Sequence, residues 1–169
     1  MKIFDTSSVI CILSEICSPK ILDICIKNGY SIAIPSPVFE EIKKNKKTYS
    51  MLQNCNPFVI LNDFDKVEYE KLLRRHPELH EGEVSVICCA LHRMRNGDRH
   101  YCIIDETAAR KFVGSDGSCS SLKLTGTVGL IYWEKDRLDL SKQECKDIYN
   151  SFENSGFWIK QSIIGGLLK

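Results

Sequence analysis

The sequence predicts an α/β fold, a three-layer α/β/α sandwich with a central parallel sheet, on three observations. Short apolar runs alternate with helical patterns along most of the chain, the order that builds a parallel sheet from crossover units. The runs are apolar throughout instead of alternating with polar residues, as strands covered on both faces require. No internal repeat, low-complexity tract or Gly/Ser/Pro-rich linker marks a boundary, so residues 1–169 read as a single domain with a C-terminal helical extension from about 141.

Lys2 to Phe4 reads as the first strand, followed by the polar turn Asp5-Thr6-Ser7-Ser8 and a helical pattern at Ile10, Leu13 and Cys17. Pro19 restarts a helix through Ile21, Leu22, Cys25 and Ile26, and Asn28-Gly29 supplies a stop suited to left-handed backbone. Tyr30 to Ile34 is the second strand. Pro35-Ser36-Pro37 then turns the chain, Ser36 as N-cap and Pro37 in the first turn, into a helix carrying Val38, Glu41 and Ile42. Phe58 to Leu61 is a third strand. Asp65 to Arg75 and Glu83 to Arg95 read as amphipathic helices, the second with Val84, Ile87, Cys88, Leu91 and Met94 on one face and Asn96-Gly97 at its end. Tyr101 to Ile104 is the fourth strand, Thr107 to Val113 a short helix and Leu122 to Leu124 a brief fifth strand. Ser141 and Glu144 have the spacing of a capping box.

Composition narrows the function classes. A net charge of +1 over 169 residues gives no global basic excess, so affinity for nucleic acid must come from local patches. The nine cysteines contain no Cys-x-x-Cys pair, the usual clip of a zinc or redox site, and most sit among Ile, Val and Leu, which reads as reduced core thiols. With 43% apolar residues there is material for a core, yet no apolar run approaches the ~20 residues of a membrane span. No leader pattern opens the sequence, and a cytoplasmic protein with no membrane partner is expected.

In an open parallel sheet the ligand site lies beyond the carboxyl ends of the strands, where crossovers diverge. Asp5 closes the first strand and Asp105 the fourth, each before a helix. Either aspartate serves equally as a helix cap. Glu41, one turn into its helix, and Glu83, after Glu81-Gly82, stand where they reach the same edge, although both also fit a solvated or dipole-complementing role. Four carboxylates in one cleft repel unless cations neutralise them, and hard divalent ions with oxygen ligands suit such a cleft.

The order Asp5-Thr6-Ser7, then Pro-x-x-Val-x-x-Glu41, Gly82-Glu83 and Ile-Ile-Asp105 with Ala109-Arg110 resembles a PIN domain, in a prokaryotic branch of that superfamily. Leu124-Thr125-Gly126-Thr127-Val128-Gly129 and the closing Gly156-Phe157 with its tail Ile159 to Leu168 are similar to that branch too. Glu83 stands where the best-known toxins of the superfamily carry Asp, and Ile104 where many members carry a polar residue. The resemblance implies an endoribonuclease dependent on Mg²⁺ or Mn²⁺ that cuts single-stranded RNA to leave a 5′-phosphate and a 3′-hydroxyl. Asp5, Glu41, Glu83 and Asp105 would be both catalytic and metal-binding, with no organic cofactor. It further implies a homodimer and an antitoxin partner, many relatives being toxins.

Around an acidic floor, Lys43, Lys44, Lys46, Arg93, Arg95, Arg110 and Lys111 are candidate phosphate contacts, with surface solubility as the ordinary reading. The lysine run from 43 to 47 reads first as a solvated helix end. Thr6 and Ser7 read as turn or cap hydroxyls, and Tyr132, Trp133 and Trp158 as core or interface residues before base-stacking platforms. The histidines at 76, 80, 92 and 100 lack ligand spacing. Ile163, Ile164, Leu167 and Leu168 suit either packing on the domain or a dimer interface. A phosphotransferase of the haloacid-dehalogenase type needs a second Asp two residues after the first, where this chain has Ser7. A PIN-like scaffold that binds RNA or a protein partner without cutting stays open as the alternative.

Overall fold

The computed structural model describes residues 1–55, 57–135, 140–155 and 165–168. Five strands form one parallel sheet: β1 (Lys2–Phe4), β2 (Ile32–Pro35), β3 (Val59–Leu61), β4 (Tyr101–Ile103) and β5 (Leu124–Thr125). Their order is β3-β2-β1-β4-β5, so the chain steps outward from β1 to β3, then crosses back to β4 on the other side of β1. Register pairs Ile3 with Ala33 on one side and with Cys102 on the other. The reversal puts the carboxyl ends of β1 and β4 next to each other at the topological switch point, which is where a crevice opens in such sheets.

The described helices are α1 (Thr6–Ile10), which runs into a π-helical turn Cys11–Glu15, α2 (Lys20–Lys27), α3 (Ser36–Lys44), α4 (Lys46–Cys55), α5 (Lys66–Arg75), α6 (Glu81–Arg95), α7 (Thr107–Ser115), α8 (Thr127–Lys135) and α9 (Lys142–Asn154). Helix α6 packs along β1, β2 and β4 with α3 and α5 against it, whereas α2 and α8 pack on each other and on β2 and β5 respectively. This is the expected α/β/α arrangement. The core is continuous from the sheet into α6, where Val84, Val86, Ile87 and Leu91 are buried. Each such side chain contributes about 1.5–3 kcal/mol by leaving water, so α6 is fixed firmly and the acids at its first turn are positioned with it.

Several boundaries differ from expectation for identifiable reasons. Pro35, not Ser36, is the N-cap of α3, and Ser36 is already helical with Pro37 in the first turn. Helix α6 begins at Glu81, two residues before the expected start, because its first turn is capped from His80. Tyr30 and Ser31 precede β2, and β5 begins at Leu124, the last residue of the expected run, and ends at Thr125. Helix α4 was not expected at all: only Thr48 and Leu52 are buried on it, too sparse a pattern to read as a face. Asn45, between α3 and α4, accepts the Thr48 N–H at 3.1 Å and starts the new helix, so the lysine run bridges two helices instead of ending one. Helix α8 escaped for the opposite reason, since Val128, Leu130 and Ile131 are buried among further apolar residues and leave no polar stripe.

Asn-Gly stops end α2 and α6 as read, with Gly29 and Gly97 at φ +79 and +76. The Ser141/Glu144 capping box opens α9, Ser141 N–H donating to Glu144 Oε2 at 2.8 Å and Glu144 N–H to Ser141 Oγ at 3.2 Å. The nine cysteines form no disulfide, and seven are buried. Burial in apolar surroundings pushes the Cys88 and Cys102 thiols up to about 12, which suits inert packing groups. At the amino edge of the sheet, Lys2 is buried with its ammonium 4.2 Å from the Tyr30 ring centroid, 5.3 Å from Tyr101 and 5.9 Å from Trp133. The opening strand is therefore not purely apolar; its lysine is accommodated by cation–π contacts. No described helix is long and apolar enough to cross a membrane. The readings made for Gly156, Phe157, Trp158 and residues 159 to 164 fall outside the described residues, as do the side chains of Leu167 and Leu168; Gly165–Leu168 is a 3-10 turn.

Candidate active site

Asp5 leaves the end of β1 and is almost fully buried. One carboxylate oxygen, Oδ1, accepts the Ser8 N–H at 2.8 Å and so caps α1. The other, Oδ2, accepts the backbone N–H of Asp105 at 3.3 Å. Capping and proximity to the second aspartate thus coexist in one side chain. Burial, and then the charge of Asp105, pushes the Asp5 carboxyl up to about 8 against an ordinary value of 3.8. A carboxylate so displaced lacks positive charge nearby.

Asp105 sits at the end of β4, held from the far side. The Thr127 N–H donates to its Oδ1 at 2.8 Å, and the Thr127 hydroxyl donates to Oδ2 at 2.5 Å. Ser8 Oγ adds a donor to Oδ2 at 2.9 Å. Glu41 on α3 is tied across to two other elements, accepting the Thr6 hydroxyl on Oε2 and the Gly82 N–H on Oε1 at 3.2 Å. The approach depends on glycine: a Cβ at Gly82 would stand 2.7 Å from Glu41 Oε2 and 3.0 Å from Thr6 Oγ1. Glu83, in the first turn of α6, is buried and accepts the His80 N–H on Oε2 at 3.0 Å. Burial raises its carboxyl above the usual range, with Glu106 and Glu41 adding to the rise and His80 opposing it.

Asp5, Glu41 and Glu83 line a cleft of about 440 Å³ together with Thr6, Ser7, Lys44 and His80. Two further acids, Glu81 and Glu106, line it as well. Asp105 stands behind this wall, against Ser8, Thr127 and Asp5. Of these lining residues Lys44 was expected as a phosphate contact, whereas Glu106, Glu81 and His80 were not singled out from sequence as site residues. For Glu106 a signal existed in its place directly after Asp105 at the end of β4, since successive residues leaving a strand point to different sides.

Lys44 is the cation at the cleft wall. Three of the other expected phosphate contacts are paired with acids elsewhere: Lys43 with Glu40 at 2.7 Å, Arg93 with Asp63 at 2.5 Å, and Arg95 with Glu68 through two bonds of 2.8 and 2.7 Å. Arg110 turns back to the Ile104 carbonyl at 3.4 Å. Thr6 donates to Glu41 as an acid-directed hydroxyl, while Ser7 Oγ reaches Glu106 Oε1 only at 3.5 Å. Trp133 belongs to the Lys2 cluster at the opposite end of the strands.

Among the described residues, no three His, Cys, Asp or Glu side chains are spaced to hold a metal ion as they stand. The reason is local: Glu41 is drawn to Thr6 and Gly82, and Asp105 to Thr127 and Ser8. The donor set nevertheless fits a hard divalent cation. It consists of carboxylate oxygens at and behind the cleft wall, with Asp5 and Glu83 held above their normal pKa first by burial and then by neighbouring acids, and with Lys44 as the lysine among the described lining residues.

The parallel sheet with carboxylates gathered at its switch point is the arrangement that the resemblance to PIN domains implies. Across residues 1–169 the chain matches the family described as PIN domain, and it belongs to that family. No curated protein and no solved structure matches it.

Proposed function

We propose that the protein is a metal-dependent endoribonuclease that hydrolyses phosphodiester bonds of single-stranded RNA, with residues 1–169 acting as one domain and the helical segment from about 141 as its extension. The observation that supports this most is the buried Asp5 carboxyl, displaced to about 8 by burial and Asp105 at the wall of an acidic cleft. Such a group stores a demand for positive charge that a divalent cation meets.

Asp5 and Glu83 would hold Mg²⁺ or Mn²⁺ from the cleft wall, with Asp105 behind them acting directly or through water. Bound there, the ion would supply charge neutralisation at phosphorus and a water of lowered pKa for in-line attack. Glu41, anchored by Thr6 and Gly82, is placed to orient a ligand or to accept a proton from the nucleophilic water on Oε1 or Oε2. Lys44 gives the entering phosphodiester its first favourable charge in a cleft that otherwise repels it. Asp5 is almost fully shielded from bulk water at the wall of the cleft. A homodimer, a cytoplasmic location and an antitoxin partner that restrains cutting complete the reading by family, and the toxin role is one form of it.

The experiment is cleavage of mixed single-stranded RNA with Mn²⁺, wild type against Asp5→Asn. Cleavage by the wild type alone is expected. Equal cutting by both proteins would overturn this reading by removing Asp5 from the reaction, and RNA binding with no cutting by either would replace it with that of a silent PIN-like module binding RNA or a partner.

A further inference from the structure

The segment Gly126-Thr127 takes no part in the cleft wall, yet it makes the densest contact with an acid of the site. Thr127 is fully buried at the start of α8, directly after β5. Its N–H and its hydroxyl grip the two oxygens of Asp105 separately, at 2.8 and 2.5 Å. Gly126 makes that grip possible, since a Cβ there would lie 2.5 Å from Asp105 Oδ1 and 2.8 Å from Arg110 Nη1. Ser8 is a weaker substitute for the hydroxyl: its single proton is shared between Asp105 Oδ2 at 2.9 Å and the Ile103 carbonyl at 3.1 Å.

We propose that Thr127 is a positioning residue that fixes the rotation of the Asp105 carboxylate. The proposal rests on the nuclease reading above. Thr127 has no exposed surface and does not touch substrate. A ligating carboxylate whose outer hydrogen bonds are removed swings about its terminal bond, and metal affinity falls because the remaining lone pairs no longer point at the ion. A purely structural hydroxyl at the start of a helix would affect stability and leave the ion untouched. The two roles therefore separate by measurement.

The test titrates Mn²⁺ into the full chain by calorimetry, for wild type, Thr127→Val and Thr127→Ser, with single-stranded RNA cleavage followed in parallel. Thr127→Val keeps the branched shape and the N–H but loses the hydroxyl; Thr127→Ser keeps the donor. Expected is a loss of Mn²⁺ affinity of about tenfold or more in the valine variant, with serine within about threefold of wild type. If the valine variant does not fold, Thr127→Cys, a weak donor of similar size, takes its place with the same expected loss. Equal affinity in wild type and the valine variant overturns the positioning role alone, as does a serine variant as weak as the valine. A wild type that takes up no Mn²⁺ overturns the nuclease reading and this role together.

Discussion

The backbone N–H of Asp105 donates to the side chain of Asp5 at 3.3 Å, joining two residues 100 positions apart in the chain. This contact adds a side-chain link to the ladder that joins the carboxyl ends of β1 and β4, where the Asp5 N–H also donates to the Ile103 carbonyl at 3.0 Å. The acid at the first strand is thereby held against the acid at the fourth. Repulsion between them is built into the fold and is relieved by protonation or by a bound cation.

Asp5→Asn keeps the shape and removes the charge, its one oxygen accepting from either the Ser8 or the Asp105 N–H but not both. Cleavage is expected to fall by roughly 10³-fold or more, the scale on which groups that organise charge in a reacting site act. Thermal unfolding of the metal-free variant at pH 8 should occur above that of wild type, because a buried charge has been removed. Comparing melting curves and initial rates on the same preparations checks both.

The pH dependence of the metal-free chain follows from the same residue. Asp5 titrates near 3.8 when unfolded and at about 8 when folded, so the folded state binds the proton more tightly. Its contribution to stability is fully present below the unfolded value and is lost as pH rises through about 8. Melting temperatures in chelator should therefore decline from mildly acid to mildly alkaline pH, and Asp5→Asn should flatten much of the decline. Mn²⁺ should restore stability most at the alkaline end.

Gly82→Ala puts a methyl group against Glu41 Oε2 and Thr6 Oγ1. Helix propensity favours alanine by about 1 kcal/mol, so the fold itself is not expected to suffer greatly. Glu41 must turn away, and Mn²⁺ affinity should drop by about tenfold, the usual range for a disturbed ligand surround. Calorimetric titration beside a melting curve separates the two effects.

Lys44→Ala should raise KM severalfold and reduce the salt dependence of RNA binding by about one phosphate contact, leaving kcat nearly unchanged. Trp133→Ala is the control at the other end of the sheet. It should cost about 1–2 kcal/mol of stability through lost cation–π and aromatic contact with Lys2 and Tyr101. Cleavage should continue at the wild-type rate.

What could be read in advance depended on how each residue signals its surroundings. Asp5 and Asp105 were legible because each ends an apolar run, which fixes it at the carboxyl edge of a sheet. The parallel architecture was legible for the same reason. Glu106 was hidden because an acid beside an acid has no spacing of its own, and only the turn after β4 shows which one faces the cleft. Ser8 and Thr127 were hidden because a buried hydroxyl that grips a carboxylate has the same sequence context as a turn hydroxyl. Helix α8 was hidden by being apolar on nearly every side, so its first residue could not be placed beside Asp105.

Diffraction from crystals soaked in Mn²⁺, with anomalous scattering to locate the ion, tests the central claim most directly. The account predicts a peak in the cleft with oxygens of Asp5 and Glu83 among its ligands, and Glu41 turned toward it from its contact with Gly82. A saturating soak that leaves the cleft without a peak, or that places the ion away from Asp5, would contradict it.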